Sequence, residues 1–500
     1  MRPTQLLDGK ELSVHRIEEL SQSPISLDLS REAWRRIAES REIVERKLAA
    51  GETIYGTTTG IGSQKDVAVS AEATADFSDR MIISEATDFP GPCESERAVR
   101  AALVVLLNNI AGGRTGVRPE LARRLLELYA APRMPAVRRD TSFGTADLTP
   151  LSQLSLALLG LSLDGEAPLL ATSLMLAPKE SVSLIDNNSF ALGSGALVLV
   201  EVERLLGAFD LAAAASLEGL RGGLRAHSEA AAGGNRSEGQ SRSRSALLAA
   251  LKGSGLHRPG EARFLQDPLS FRSITQINGA GHEVWSWTKA RFEAEINASA
   301  DNPLVDLDSG ELFTSSSMVS LLPALSMDAL RQALAKVAMQ SMERALKVQS
   351  PPFSGLPVGL TEEGAADGGI LSINLNYIGS ARMGSLLAAA APVVLHYIGH
   401  TADGVEDVTS LLPLSVSQTE ALIERAWDTV ALEMAIAVWA MARRRLAPDD
   451  LGEGPRKVYR TLLPLLRIGD EGRRVFDMRP IVAAVRNLAA GGNSAAPPHA

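Results

Sequence analysis

The sequence predicts an all-α protein built around a central bundle of long helices. Aromatic residues make up only 4% of the 500 residues, which argues against a β-sandwich or β-barrel, because strands are enriched in aromatic and β-branched side chains. Apolar residues recur at helical spacing in many segments, several of them longer than twenty residues. Helices of that length are typical of a bundle.

The helical pattern breaks at two irregular segments in the first part of the chain. Residues 51–62 are rich in Gly and Thr and cannot continue a helix, so they are a candidate site element. Residues 138–150 form the second irregular segment. Later in the chain, the Gly- and Ser-rich stretch 228–245 is predicted to be a surface loop. Helices are predicted at 30–48, 71–86, 96–112, 151–161, 191–215, 277–300, 323–348, 370–400 and 417–445. One more predicted helix ends near residue 131.

These segments divide the chain into three predicted parts. Residues 1–200 form an N-terminal helical domain that carries both irregular segments, and residues 201–445 form the central bundle of long helices. Residues 446–500 form a C-terminal helical segment that ends in a disordered tail, because 491–500 are rich in small residues and proline.

Charge and cysteine content exclude several function classes. The net charge is −9, and acidic and basic residues are interspersed. The chain therefore has no basic patch that would bind nucleic acid and no polybasic membrane signal. Its one cysteine, Cys93, leaves no intrachain disulfide to form, and no Cys/His spacing predicts a metal site. The start of the chain lacks a signal-peptide layout, and the longest apolar stretch is interrupted by Pro392. We therefore expect a cytoplasmic protein that acts on small molecules, with no nucleic-acid or membrane partner.

A series of motifs then resembles the histidine and aromatic amino-acid ammonia-lyases. Residues 55–62 are similar to the Tyr-Gly-x-x-Thr-Gly-Phe-Gly loop of that family, and residues 266–272 are close to its Gln-Asp-Pro-Tyr-Ser-Leu-Arg. The resemblance implies an all-α, fumarase/aspartase-like architecture and a homotetramer whose active sites combine loops from several subunits. Further matches lie, in the family's order, at 147–151, 177–180, 295–297, 301–305 and 406–407.

The three residues that should form the family's electrophile differ from its pattern. The family cyclises Ala-Ser-Gly into a methylidene-imidazolone, whereas this chain has Gly144, Thr145 and Ala146. Ala146 restricts the tight backbone that glycine permits, and Thr145 could dehydrate only to a more hindered ethylidene. We therefore expect no such cofactor, and either an unmodified Thr145 that donates its hydroxyl to the substrate or a purely structural loop. Cyclisation despite Ala146 is the alternative.

The resemblance also assigns roles to residues outside the tripeptide. Tyr55 matches the catalytic base, a phenol that must ionise below its usual pKa of about 10. Arg272 matches the arginine that binds the substrate carboxylate through its planar donor pair. Gln266 and Phe313 match other substrate-binding positions, and Leu269 replaces a second tyrosine.

Three acidic residues complete the predicted site. Asp186 stands where the family has an asparagine, Glu85 stands at a position that selects the substrate's ring, and Glu406 retains the family's acid as a catalytic residue. Three carboxylates in one pocket repel one another, so at least one raised pKa is expected. Such a pocket suits acid–base chemistry or a cationic substrate better than an aromatic ring.

Three functional hypotheses follow. The first is a divergent carbon–nitrogen lyase that eliminates or adds an amine at the α,β-carbons of an amino-acid-like or carboxylate-bearing substrate, without the methylidene group. The second is an orthodox ammonia-lyase or aminomutase with a cyclised tripeptide. The third is a catalytically silent homologue that binds a ligand or a partner subunit.

Overall fold

A computed structural model describes residues 4–234, 237–361, 370–466 and 476–491, and it confirms the all-α prediction. The α-helices are α1 Val14–Gln22, α2 Arg31–Ala49, α3 Ala71–Glu85, α4 Glu96–Ala111, α5 Pro119–Tyr129, α6 Leu148–Ser155, α7 Glu180–Ile185, α8 Ser189–Leu220, α9 Glu238–Ala250, α10 Leu269–Arg272, α11 Ile274–Ile296, α12 Leu321–Gln349, α13 Pro351–Ser354, α14 Ile370–Ala389, α15 Leu412–Arg443, α16 Glu453–Leu462 and α17 Arg479–Ala489. Short 3₁₀ helices lie at Gly62–Gln64, Leu156–Leu159, Arg225–His227, Gly255–His257, Val358–Leu360, Ala402–Gly404, Pro448–Asp450 and Leu463–Leu466.

Two small sheets accompany the helices. Strands β1 Gln5–Leu7 and β2 Leu27–Leu29 pair in parallel, with Gln5 opposite Leu27. Strands β3 Leu304–Asp306 and β4 Glu311–Phe313 pair antiparallel, with Leu304 opposite Phe313. Strands of three residues are too short to show a two-residue alternation, which explains why the sequence did not predict them.

The long helices lie where the periodicity predicts them, but two predictions were wrong. The helix expected over 370–400 ends at Ala389, because Pro392 cannot continue it and disfavours helical backbone in the residue before it. The loop expected over 228–245 is helical from Glu238 onward, where helix α9 begins. The Ser237 side chain caps the first turn of this helix by accepting a hydrogen bond from the Gln240 amide. The tail predicted to be disordered lies, from residue 492 onward, outside the described residues.

The chain forms two compact units, each assembled from distant segments. The first comprises Met1–Val200, Thr288–Met327 and Pro392–Ser417, and the second comprises Glu201–Trp287, Asp328–Ala391 and Gln418–Ala500. The three-part division predicted from the sequence stays a prediction. Among the helices in the described ranges, none is both long and apolar enough to cross a membrane.

Each unit has its own buried interior. In the first unit, helix α4 is buried on all sides from Ala98 to Ala111, as expected for a helix that is apolar around its whole circumference. In the second unit, the Arg344 guanidinium binds the fully buried Glu433 carboxylate through two nitrogens, at 2.5 and 2.9 Å. Two serine hydroxyls also donate to that carboxylate, so each of its oxygens accepts two hydrogen bonds.

Candidate active site

A cavity of about 570 Å³ lies within the first unit, between loops that the fold gathers from distant parts of the chain. The volume is within the range of small-molecule sites, roughly 300–1,000 Å³. It is lined by the Tyr55 loop, the ends of α3 and α7, the tripeptide loop, and the segments around Ser315 and Glu406. Five of the predicted site residues line it together: Tyr55, Glu85, Thr145, Asp186 and Glu406.

The Tyr55 loop is a tight turn that holds the phenol at the cavity. Gly56 has a φ of +63°, and a Cβ there would lie 2.4 Å from a Val182 methyl, so this position requires glycine. The Thr58 hydroxyl closes the turn by accepting from the Ile54 amide at 2.8 Å. The Gly62 amide donates to the Tyr55 phenol oxygen at 3.0 Å, which fixes the position of that oxygen.

Burial raises the pKa of Tyr55, against the lowering effect of the Gly62 amide, and the carboxylates of Asp186 and Glu406 raise it further. With a raised pKa, less of the phenol is ionised near neutral pH, so a base at this position gains phenolate as the pH rises. The sequence could not predict this shift, because it comes from burial and from charges elsewhere in the fold. The role of Tyr55 as catalytic base stays a prediction.

Two of the three predicted acids that line the cavity also have raised pKa values. Burial raises the pKa of Glu85, and the nearby charge of Glu406 adds to the effect. Burial raises the pKa of Asp186 well above its ordinary value, and the charges of Asp301 and Glu406 contribute in the same direction. Glu406 itself accepts a hydrogen bond from the Thr401 hydroxyl at 2.9 Å. The direction is the predicted one, although burial rather than mutual repulsion is the main cause.

A buried ion pair near Asp186 was missed at the sequence level. The Lys179 ammonium lies 2.7 Å from an Asp301 oxygen, and both side chains are fully buried. The Ser183 hydroxyl lies 2.8 Å from the same oxygen and 3.0 Å from the ammonium. Lys179 opposes the raised pKa of Asp186, but its hydrogen bonds go to Asp301 and Ser183. Both charged residues lie within family-like motifs, but the motifs do not show that the two side chains meet.

The tripeptide forms a tight loop with two residues in the left-handed region. Gly144 has a φ of +90° and Ala146 a φ of +66°, and the two are bridged to each other. The Ser410 hydroxyl donates to the Gly144 carbonyl at 2.8 Å, and the Thr145 hydroxyl donates to the Val408 carbonyl at 2.9 Å. Asp147 follows in the interior, where burial raises its pKa to about 6. The loop is therefore held to the segment that precedes α15.

The residues of this loop do not fit a methylidene-imidazolone. A Cβ at position 144 would lie 2.4 Å from the Ser410 hydroxyl and 3.1 Å from two backbone nitrogens, so this backbone excludes the alanine that begins the family's tripeptide. Ala146 occupies a left-handed conformation that favours glycine. Thr145 carries a methyl on its β-carbon, so its dehydration could not leave a methylidene.

Four predicted substrate-binding residues are not among those that line the cavity in the described chain. Arg272, Gln266 and Leu269 belong to the second unit, where Leu269 and Gln266 are exposed and the Arg272 Nε donates to the Asp267 carbonyl at 2.7 Å. Phe313 lies in β4 of the first unit and is exposed. Their roles in substrate binding stay predictions.

The cavity also contains polar residues that the sequence did not single out. Asn302 is one of them, and its side-chain oxygen accepts from the Ser315 amide at 3.0 Å, which orients its NH₂ group as a donor. Ser315 and Ser316 line the same wall. Within the described ranges, no group of three or more His, Cys, Asp or Glu side chains could hold a metal ion.

Comparison with known proteins gives consistent results over nearly the whole chain. The family described as aromatic amino acid lyase matches residues 12–463. A histidine ammonia-lyase from Alkaliphilus metalliredigens is 27% identical over 498 residues, which cover 96% of each chain. A histidine ammonia-lyase from Caldanaerobacter subterraneus is 28% identical over 468 residues, which cover 91% of each.

Solved structures agree with this result at the level of the fold. Ergothionase from Treponema denticola, an ergothioneine-degrading enzyme, superimposes with a TM-score of 0.88 at 24% identity, covering 98% of this chain and 99% of that one. Phenylalanine aminomutase from Pantoea agglomerans superimposes with a TM-score of 0.88 at 21% identity, covering 97% and 98%.

Proposed function

Because the chain belongs to the aromatic amino acid lyase family, and is thus a carbon–nitrogen lyase, we propose that it eliminates an amine, or adds one in reverse, without a methylidene-imidazolone. The substrate is an amino-acid-like or other carboxylate-bearing small molecule, and the bonds change at its α,β-carbons. The observation that carries this proposal is one cavity in which Tyr55 lies with four acidic residues, beside a tripeptide that does not fit the family's electrophile.

In this mechanism the Tyr55 phenolate removes the β-proton. The electrons of the broken carbon–hydrogen bond form the carbon–carbon double bond, and the carbon–nitrogen bond breaks with its electrons going to nitrogen. An amine bound as ammonium leaves as neutral ammonia. An amine bound without its extra proton needs an acid, and Glu85 and Asp186 are suited to donate because their raised pKa values favour the protonated form.

The unmodified Thr145 has a supporting role in this proposal. Its side chain lines the cavity, and its hydroxyl proton goes to the Val408 carbonyl. The hydroxyl oxygen therefore remains available to accept a hydrogen bond from the substrate's amine and from the ammonia that leaves.

Arg272 completes the proposed site by binding the substrate carboxylate. One of its nitrogens is engaged by the Asp267 carbonyl, which leaves the two terminal nitrogens to form a planar, bidentate donor pair. We propose that it serves an active site shared between subunits of a homotetramer, as the family resemblance implies. Gln266, Leu269 and Phe313 are proposed to line the same shared site.

The test is ammonia release from a panel of amino acids by the wild type, Tyr55→Phe and Tyr459→Phe. Loss of a general base should lower kcat about 10²–10⁴-fold in Tyr55→Phe. Tyr459 in α16 is outside the cavity lining, so its loss of a hydroxyl is a matched control and should leave the rate unchanged. Full activity in Tyr55→Phe would refute the mechanism, and inactivity of the wild type on every substrate would favour a silent homologue.

The intact mass tests the missing electrophile separately. We expect the mass to equal that of the unmodified sequence. A chain lighter by two water molecules would show that the tripeptide cyclises and dehydrates, and would support the orthodox ammonia-lyase or aminomutase hypothesis instead.

A further inference from the structure

The interior of the first unit contains an ion pair that touches no solvent. The Lys179 ammonium lies 2.7 Å from an Asp301 oxygen, and neither side chain has any exposed surface. A side chain without exposed surface cannot contact a partner subunit, so this pair belongs to the chain itself. Replacing a buried ion pair by well-packed apolar side chains is often neutral or even stabilising. Stability alone therefore does not explain why the pair is present.

The pair joins two walls of the cavity. Lys179 directly precedes helix α7, and Asp186 directly follows it. The Ser183 hydroxyl, one helical turn before Asp186, lies 2.8 Å from the same Asp301 oxygen. Asp301 is followed by Asn302, which lines the cavity together with Asp186. The Asp301 carboxylate is therefore bound to the last turn of the helix that ends at Asp186.

Lys179 holds this position in a strained backbone conformation. Its φ is +79°, in the left-handed region, where a side chain crowds its own backbone. Glycine would relieve the strain but would remove the ammonium. Strained residues of this kind cluster at functional sites. The conformation thus supports a requirement for the Lys179 charge, whose hydrogen bonds go to Asp301 and Ser183.

Several donors stabilise the charged form of Asp301. Burial raises the pKa of Asp301, against the lowering effects of the Lys179 ammonium, the Ser183 hydroxyl and the Asn302 amide. That amide donates to one oxygen of the carboxylate at 2.7 Å, and the ammonium donates to the other. Hydrogen bonds to a carboxylate and a nearby cation both favour its ionised form. Asp301 is thereby held as the counterion of Lys179.

The charge of this carboxylate acts on Asp186. Burial is the main cause of the raised pKa of Asp186, and the charge of Asp301 raises that pKa by more than the charge of Lys179 lowers it. The pair is formally neutral, yet its combined effect on Asp186 is that of a negative charge. Glu406 acts in the same direction, and the other titratable residues of the cavity lining are Tyr55, Glu85 and Asp407.

We propose that Asp301 is a positioning residue for Asp186: its carboxylate, fixed by Lys179 and Ser183, keeps Asp186 protonated and therefore able to donate a proton. This inference rests on the proposed function, in which Asp186 is one of two proton donors, and it names the group that controls this donor. Lys179 balances the charge of Asp301. Without Asp301, Lys179 would be a buried cation that lacks its counterion, and Asp186 would ionise to replace it.

The experiment follows the protonation of Asp186 directly. Infrared difference spectra of each protein against the same protein carrying Asp186→Asn isolate the carbonyl stretch of the protonated Asp186 carboxyl. The loss of this band with rising pH gives a titration midpoint. The wild type is compared with Asp301→Asn and with the double variant Lys179→Met/Asp301→Asn, in which both members of the pair are neutral. We expect the highest midpoint in the wild type, a lower one in the double variant and the lowest in Asp301→Asn.

The double variant decides the question even if the single variant does not fold. Asp301→Asn leaves the Lys179 charge buried without its counterion, whereas the double variant removes both charges and is expected to fold. A midpoint in the double variant that equals or exceeds the wild-type value would overturn the proposal. A pair with a merely structural role would change the unfolding midpoint and leave the titration of Asp186 where it was.

A matched control shows whether the effect is local. Asp308→Asn, in the exposed turn between β3 and β4, makes the same chemical change outside the cavity lining and should keep the wild-type midpoint. A shift as large as that of Asp301→Asn would contradict the assignment. Because protonation is measured without turnover, an active Tyr55→Phe enzyme would refute the proposed function and leave this inference standing.

Discussion

Replacing Gly144 with alanine tests whether the tripeptide loop excludes the family's residue order. The added Cβ would lie 2.4 Å from the Ser410 hydroxyl, and this oxygen is held in place because it donates to the Gly144 carbonyl and accepts from the Leu412 amide. The backbone φ of +90° adds strain for any side chain. Left-handed backbone costs alanine about 1–2 kcal/mol and overpacking about 1–3 kcal/mol, so Gly144→Ala should destabilise the protein by about 2–5 kcal/mol.

A matched variant separates the two contributions. Gly260 has a similar φ of +84°, but a Cβ there meets nothing within 4 Å. Gly260→Ala should therefore show only the backbone cost of about 1–2 kcal/mol. The measurement is urea denaturation followed by circular dichroism. If Gly144→Ala unfolds at the same urea concentration as Gly260→Ala, the loop accommodates alanine and the argument from its geometry fails.

Three further outcomes are expected. Removing the guanidinium in Arg272→Ala should weaken binding of a carboxylate ligand by about 2–5 kcal/mol, the range for truncating one partner of a buried charge pair. Unchanged affinity in calorimetry would show that Arg272 does not bind the substrate carboxylate. The pKa of Tyr55 is raised from its usual value of 10.0. The logarithm of kcat/KM should therefore increase with pH and reach no plateau below about pH 10. A plateau near neutral pH would show that another group is the base. Glu433→Gln leaves Arg344 buried without its countercharge and should lower the free energy of unfolding by about 3–5 kcal/mol. The control Glu424→Gln removes an exposed ion pair and should lower it by at most about 1 kcal/mol. Equal unfolding midpoints of the two variants would contradict this.

Much of the fold could be predicted because helical periodicity is a local signal. Helices α8, α12 and α15 begin and end within five residues of their predicted bounds. Helix α14 was predicted too long, although Pro392 already indicated where it must end. Helix α9 was missed because its Gly- and Ser-rich start resembles a loop and its stability comes from tertiary packing.

The candidate site was predicted only in part. The motifs identified Tyr55, Thr145 and Glu406, and the structure places them in one cavity with three further acids, Glu85, Asp186 and Asp407. They could not reveal the pair of Lys179 and Asp301, because the two residues lie far apart in sequence and meet only in the folded chain. They also could not locate Arg272, which lies in the second unit and whose role in substrate binding stays a prediction.

The sequence by itself determined the all-α class and the chemistry of the tripeptide, since helical spacing is local and the methyl group of Thr145 is covalent. Tertiary structure decided that position 144 excludes a Cβ and that Tyr55 has a raised pKa. Both depend on atoms brought together from distant segments: the Ser410 hydroxyl against one loop, and the Asp186 and Glu406 carboxylates around the other. Burial and electrostatic fields arise only when such segments meet, so no local pattern could have predicted them.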